Sequence, residues 1–158
     1  MKTLLLYAST HHGNTEQLAR AMAEAAGADV VNLLASPVPD PSGYDLIGLA
    51  SGVYFGTLHQ RVLDFADQAP LRPSQRVFLA ATCGVGYRDY TAGAKKLLAR
   101  RNIPCLGSFQ CRGYDTYGIF GKLGGIAKGH PNERDLANAR AFLRALLETA
   151  GDGRRPIQ

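Results

Sequence analysis

Three short stretches hold the residues whose types and spacing suit chemistry. The first is Thr10, His11, His12, Gly13, Asn14 and Thr15, which follows the apolar run Leu4, Leu5, Leu6, Tyr7 and precedes Leu18, Ala19, Met22 and Ala26 at helical spacing. Where a loop opens a helix after a strand, the first backbone N–H groups lack partners. They point outward at the positive end of the helix dipole and can hold a phosphate. Thr10 and Thr15 add hydroxyl donors, Gly13 lets the backbone come close to an anion, and Asn14 accepts turn geometry. The stretch contains neither the Gly-Lys-Ser/Thr of a nucleoside triphosphate loop nor the G-x-G-x-x-G of a dinucleotide loop. Without Lys or Arg, it suits a single terminal phosphate held by hydrogen bonds.

The second stretch, Gly52, Val53, Tyr54, Phe55 and Gly56, and the third, Thr82, Cys83, Gly84, Gly86 and Tyr87, also follow apolar strand-like runs. They combine aromatic side chains with glycines, as a pocket for a flat, mostly apolar ring with a polar edge requires. The first stretch resembles the phosphate loop of the flavodoxins, Ser/Thr-x-Thr-Gly-x-Thr, and departs from it only in His12, which replaces a Thr. The resemblance implies FMN as cofactor, with residues 10–15 on its phosphate and the other two stretches around its isoalloxazine ring. Tyr54 and Phe55 stand where that family carries one ring-covering aromatic, and which of the two stacks stays open. Gly56 matches the glycine whose peptide turns toward the flavin. Cys83-Gly84, with Gly93-Ala94 after the family's interval, continues the likeness. An ungapped reading puts Arg88, with Tyr87 beside it, where members have a stacking tyrosine.

These loops need a scaffold. Strands are expected at 28–34, 44–50, 76–81 and 105–111 after the first one, with helices at about 58–68, 90–101 and 133–150, the last capped by Asn132. Strands alternating with helices predict an α/β/α sandwich around a five-stranded parallel sheet, in the flavodoxin-like order 2-1-3-4-5 that the resemblance implies. That order brings the loops after strands 1, 3 and 4 to one edge. Residues 112–131, with six glycines and the apolar Tyr114, Tyr117, Ile119, Phe120, Leu123 and Ile126, form a connection too long to be idle. They are expected to fold over the flavin edge, a partner or the edge of the fifth strand.

At 158 residues the chain makes one domain, expected over 1–150 with a flexible tail at 151–158. The apolar run at residues 4–7 is too short for a signal peptide, and no stretch could span a bilayer. Cys83, Cys105 and Cys111 fit no zinc spacing and are read as reduced thiols of a cytoplasmic protein. The +5 charge and pI near 9.3 contrast with the acidic flavodoxins. Lys95, Lys96, Arg100 and Arg101 read as a solvated helix face; with no nucleic-acid motif, contact with an anionic partner or a peripheral membrane surface stays open beside it. The expected function is electron transfer through FMN between redox partner proteins, with no catalytic side chain and no metal site. The alternative is an FMN-dependent oxidoreductase, a quinone or NAD(P)H reductase or a protein like the menaquinone-dependent protoporphyrinogen oxidases. These resemble the chain in the first loop, around residues 54–59, and in basic charge with a long late insertion. His12 against a phosphate is expected to weaken FMN binding as pH rises past neutrality.

Overall fold

The computed structural model describes residues 1–10 and 12–151. His11 and residues 152–158, most of the expected tail, lie outside the described residues. Along the chain run β1 (Thr3–Ala8), α1 (Asn14–Ala26), β2 (Asp29–Asn32), β3 (Leu46–Tyr54), β4 (Thr57–Leu58), α2 (Gln60–Gln68), β5 (Arg76–Cys83), α3 (Ala92–Arg100), β6 (Cys105–Arg112), the single turn α4 (Ile119–Lys122) and α5 (Glu133–Gly151). The parallel strands are ordered β2-β1-β3-β5-β6, which is the expected order. The short β4 is an addition that pairs antiparallel with the end of β3.

Parallel strands buried on both faces must be apolar throughout, and their alternation assigns each side chain to a layer. Leu4, Leu6 and Ala8 of β1 pack with Val62, Phe65 and Leu98 of α2 and α3. Leu5 and Tyr7 face the other way, onto Leu18 and Met22 of α1 and Leu143 of α5. The helices begin later than the sequence pattern indicates in two places. Leu58 pairs with Val53 before α2 can start, and α2 opens after His59, whose Nδ1 accepts from the Arg61 N–H. Asp89 accepts from the N–H and hydroxyl of Thr91 in a local turn that delays α3 to Ala92. Asn132 caps α5 as expected: its Oδ1 accepts from the Asp135 N–H at 3.0 Å, and Asp135 Oδ2 accepts from the Asn132 N–H at 2.8 Å. α5 runs through Gly151.

Candidate flavin site at the strand ends

The carboxyl ends of β1, β3 and β5 open into one cavity of 610 Å³. A cavity of that size holds a ligand of a few hundred daltons. At its floor is the start of α1. His12 (φ 57°) and Gly13 (φ 65°) both take the left-handed conformation, and no side chain caps the helix. Asn14 and Thr15 line the cavity at this uncapped end, where the helix dipole favours an anion.

The hydroxyls of this loop have partners within the protein. Thr10 Oγ1 lies 2.7 Å from the Tyr54 hydroxyl, and Thr15 Oγ1 lies 2.8 Å from Thr82 Oγ1 in a buried pair. These two contacts tie the first loop to the second and third. His12 Nε2 sits 2.9 Å from Thr116 Oγ1, and its ring lies 4.6 Å from that of Tyr114. Asn14 donates its side-chain amide to the Tyr114 carbonyl.

The second stretch is a tight hairpin, where the sequence reading expects an open loop. Val53 pairs with Leu58 and Tyr54 with Thr57, leaving Phe55 (φ 51°) and Gly56 (φ 80°) at the turn. Two residues at positive φ make the turn type whose twist suits a hairpin, and glycine takes the second place without strain. Phe55 takes the first place at a steric cost and stands 90% exposed. Tyr54 is turned inward and meets His59 edge-on at 5.1 Å. Arg88 donates from Nη2 to the Gly56 carbonyl at 2.8 Å, and its guanidinium lies over the rings of Tyr87 and Tyr90. Arg88 therefore fastens the hairpin turn.

In the third stretch, Thr82, Cys83 and Gly84 line the large cavity, whereas Tyr87 lines a smaller adjoining chamber of 280 Å³. Gly86 lines neither. Cys83 and Cys111 are buried, which pushes their thiols up to about 11 and about 12. Thiols held protonated at neutral pH are poor nucleophiles.

A further wall, which the three sequence motifs do not include, comes from the connection between β6 and α5. Gly113, Tyr114, Asp115, Thr116, Tyr117 and Gly118 all line the large cavity. Asp115 and Ile126 exchange two backbone hydrogen bonds, and Tyr114 donates from its N–H to the His130 carbonyl, so the segment is folded back on itself. The Asp115 carboxylate accepts from the Tyr117 N–H and lies against Gly84, where a Cβ would stand 2.6 Å from Oδ2. Thus His12, Asn14, Thr15, Gly52, Val53, Tyr54, Phe55, Gly56, Thr82, Cys83 and Gly84 come together in one cavity. Thr10 and Gly13 do not line it but border residues that do. The run of tyrosines and glycines in residues 112–131 was the sequence signal for the missing wall, although it carried no periodicity to say which residues face inward.

A family model for the flavodoxin domain matches residues 4–106, nearly two thirds of the chain. The chain belongs to the flavodoxin family. The matched part contains all three predicted loops and ends before the segment that closes the cavity. An uncharacterised protein from Methanocaldococcus jannaschii is 37% identical over 150 residues, covering 94% of this chain and 99% of its own length. Among solved structures, a flavodoxin from the domain Archaea superposes with a TM-score of 0.68 at 14% identity, over 96% of this chain and 99% of its own. A flavoprotein from Lactobacillus acidophilus, solved in complex with FMN, gives 0.52 at 17% identity over 69% of this chain and 92% of its own. Among the described residues, no helix is long and apolar enough to cross a membrane, and no His, Cys, Asp and Glu cluster could hold a metal ion.

Proposed function

We propose that this protein binds FMN and carries electrons between redox partner proteins through it. The observation that carries the reading is the uncapped start of α1, opening into a 610 Å³ cavity whose far side is an aromatic hairpin. An anion-binding floor and an apolar wall in one cavity fit a flat ring bearing one phosphate. Backbone N–H groups of Gly13, Asn14 and Thr15 would hold the phosphate. The isoalloxazine would lie among the hairpin residues 52–56, the β5 end at Thr82, Cys83 and Gly84, and the Tyr114 to Tyr117 wall. FMN supplies the electron storage, one or two at a time.

The chain's own residues bind, orient and shield. Tyr54, held by Thr10, fixes the inner wall; Arg88 fixes the Gly56 peptide at the rim; residues 113–118 exclude water from one side. Among the described residues the three thiols are unpaired, which supports a cytoplasmic setting. The 280 Å³ chamber beside the large cavity favours a second reading, an oxidoreductase with a substrate of its own.

Titrating the purified protein with FMN and following quenching of flavin fluorescence tests the cofactor; absence of saturable binding overturns the proposal. Stepwise anaerobic reduction of the loaded protein separates the two readings. Electrons taken up one at a time support the carrier, and uptake in a single two-electron step supports the enzyme.

A further inference from the structure

The 280 Å³ chamber shares Val53, Gly56, Cys83, Gly84 and Asp115 with the large cavity and adds walls of its own from Val85, Tyr87, Tyr90 and Phe120. The large cavity is by itself of cofactor size, so the chamber has room for a second, smaller molecule touching the first. A cavity of about 150 Å³ already takes a benzene ring. This one therefore suits a single ring with one or two substituents.

Its aromatic walls are fixed in place. Tyr87 and Tyr90 meet edge-on at 5.9 Å, Tyr90 donates its hydroxyl to the Val85 carbonyl at 2.6 Å, and Gln110 Oε1 accepts from the Tyr90 N–H at 3.2 Å. Walls of this kind favour a flat ring, stacked or edge-on. The charged group on the boundary between chamber and cavity is Asp115. Its Oδ1 accepts from the Tyr117 N–H at 2.8 Å, and its backbone is bonded both ways to Ile126, which together orient the carboxylate. Oδ2, the oxygen nearest Gly84, has no hydrogen bond to the protein among the described residues. A carboxylate oxygen at an apolar chamber without a partner calls for a donor. It repels an anion. A ligand cation would meet the rings of Tyr87 and Tyr90 where the Arg88 guanidinium already lies, 5.6 Å and 5.2 Å from their centroids. The ligand left by these exclusions is a neutral ring carrying a strong donor.

We propose that the chamber binds a small neutral aromatic molecule of the phenol class, whose O–H donates to Asp115 Oδ2 while its ring lies against Tyr87 and Phe120. The proposal rests on the second reading above, in which the large cavity holds FMN and a separate substrate reaches it, since the five shared residues put the phenol's ring beside the flavin.

The test titrates isotope-labelled full-length protein, loaded with FMN and unloaded, with phenol, its donor-less methyl ether anisole, benzylamine and benzoate at neutral pH. Phenol is expected to shift the amides of residues 84–87, 90 and 115–120 in the loaded protein and to bind about fivefold or more tightly than anisole. Benzylammonium and benzoate are expected to bind more weakly than phenol. Asp115→Asn keeps an acceptor for the Tyr117 N–H and is expected to bring the preference for phenol over anisole below about twofold. Tyr87→Leu is expected to weaken both probes by the same factor, about threefold or more. Anisole or benzylammonium equal to phenol, a preference unchanged in Asp115→Asn, or phenol bound to unloaded protein and expelled by FMN overturns the proposal. FMN uptake is scored separately from the visible spectrum. Loaded protein without a phenol footprint defeats only the chamber site, and a phenol footprint on protein that takes up no FMN defeats only the cofactor reading.

Discussion

The hairpin formed by β3 and β4 and the 113–131 segment face each other across the same cavity, yet they are held in different ways. The hairpin grows out of a central strand. Its base is in the sheet, Ser51 Oγ accepts from the His59 N–H, and Arg88 closes its turn. The 113–131 segment has one ladder-like link, from the Gly113 N–H to the Cys83 carbonyl. Beyond that it is secured by its own bonds, by His12 and Asn14 of the first loop, by Phe55 against Tyr117 and by His130 on Asp135 of α5. One wall is thus part of the scaffold, and the other depends on the loop expected to hold the phosphate. Elements with few sheet contacts open at lower free energy, so occupancy should steady the second wall more than the first.

Gly125→Val should separate the two walls most strongly. Gly125 has φ 87°, and a Cβ there would stand 2.5 Å from the Tyr114 ring. The substitution is expected to cost FMN binding about 3 kcal/mol, a factor on the order of 100, while urea unfolding of the sheet moves little. Unchanged affinity would remove the segment from the site. Gly56→Ala strains the other wall, at φ 80° and against Arg88. Its expected cost is about 1 kcal/mol in unfolding free energy, measured in urea, because this wall is continuous with the sheet. A variant as stable as the parent would break the distinction. Thr116→Val removes the hydroxyl next to His12, and less than about 1 kcal/mol of FMN binding should go with it. Amide exchange at residues 114–118 should quicken while that at 53–58 stays the same; equal quickening would show that the walls open together.

The smallest effect concerns acid. Burial, reinforced by Arg61, holds the His59 imidazole below its ordinary pKa of 6.5, so the unfolded chain takes up the proton first. Stability is therefore complete above about pH 6.5 and declines as pH falls below it. His59→Asn keeps a cap on α2 but does not titrate. The loss of urea resistance between pH 7.5 and pH 5.5 should be smaller in the variant, and an identical loss would clear His59 of any part in it.

The sheet was legible in the sequence because doubly buried strands must be continuous apolar runs, and the position of the first loop because a polar, Gly-bearing stretch separates such a run from a helical pattern. The hairpin was hidden by Phe55. A bulky residue at positive φ is no signal for a turn, and only the Arg88 bond and the pairing of Leu58 with Val53 reveal why the chain turns there. The inner face of residues 112–131 was hidden for another reason. With six glycines and a single helical turn, the segment has no repeat from which facing could be read, and its register is set by pairing between Asp115 and Ile126. His12 Nε2 lies 2.9 Å from Thr116 Oγ1, which joins the first loop to this segment.

The ends of the 113–131 segment are fixed independently of what lies between them. Gly113 is tied to the end of β5, and the reciprocal Asn132 and Asp135 cap starts α5, with His130 Nδ1 also on Asp135 Oδ2. Whatever lies between those two anchors must therefore span a fixed distance. Shorter or longer inserts grafted at this junction would change the cavity mouth and its floor together, because Thr116 and Tyr114 are the partners of His12 and Asn14.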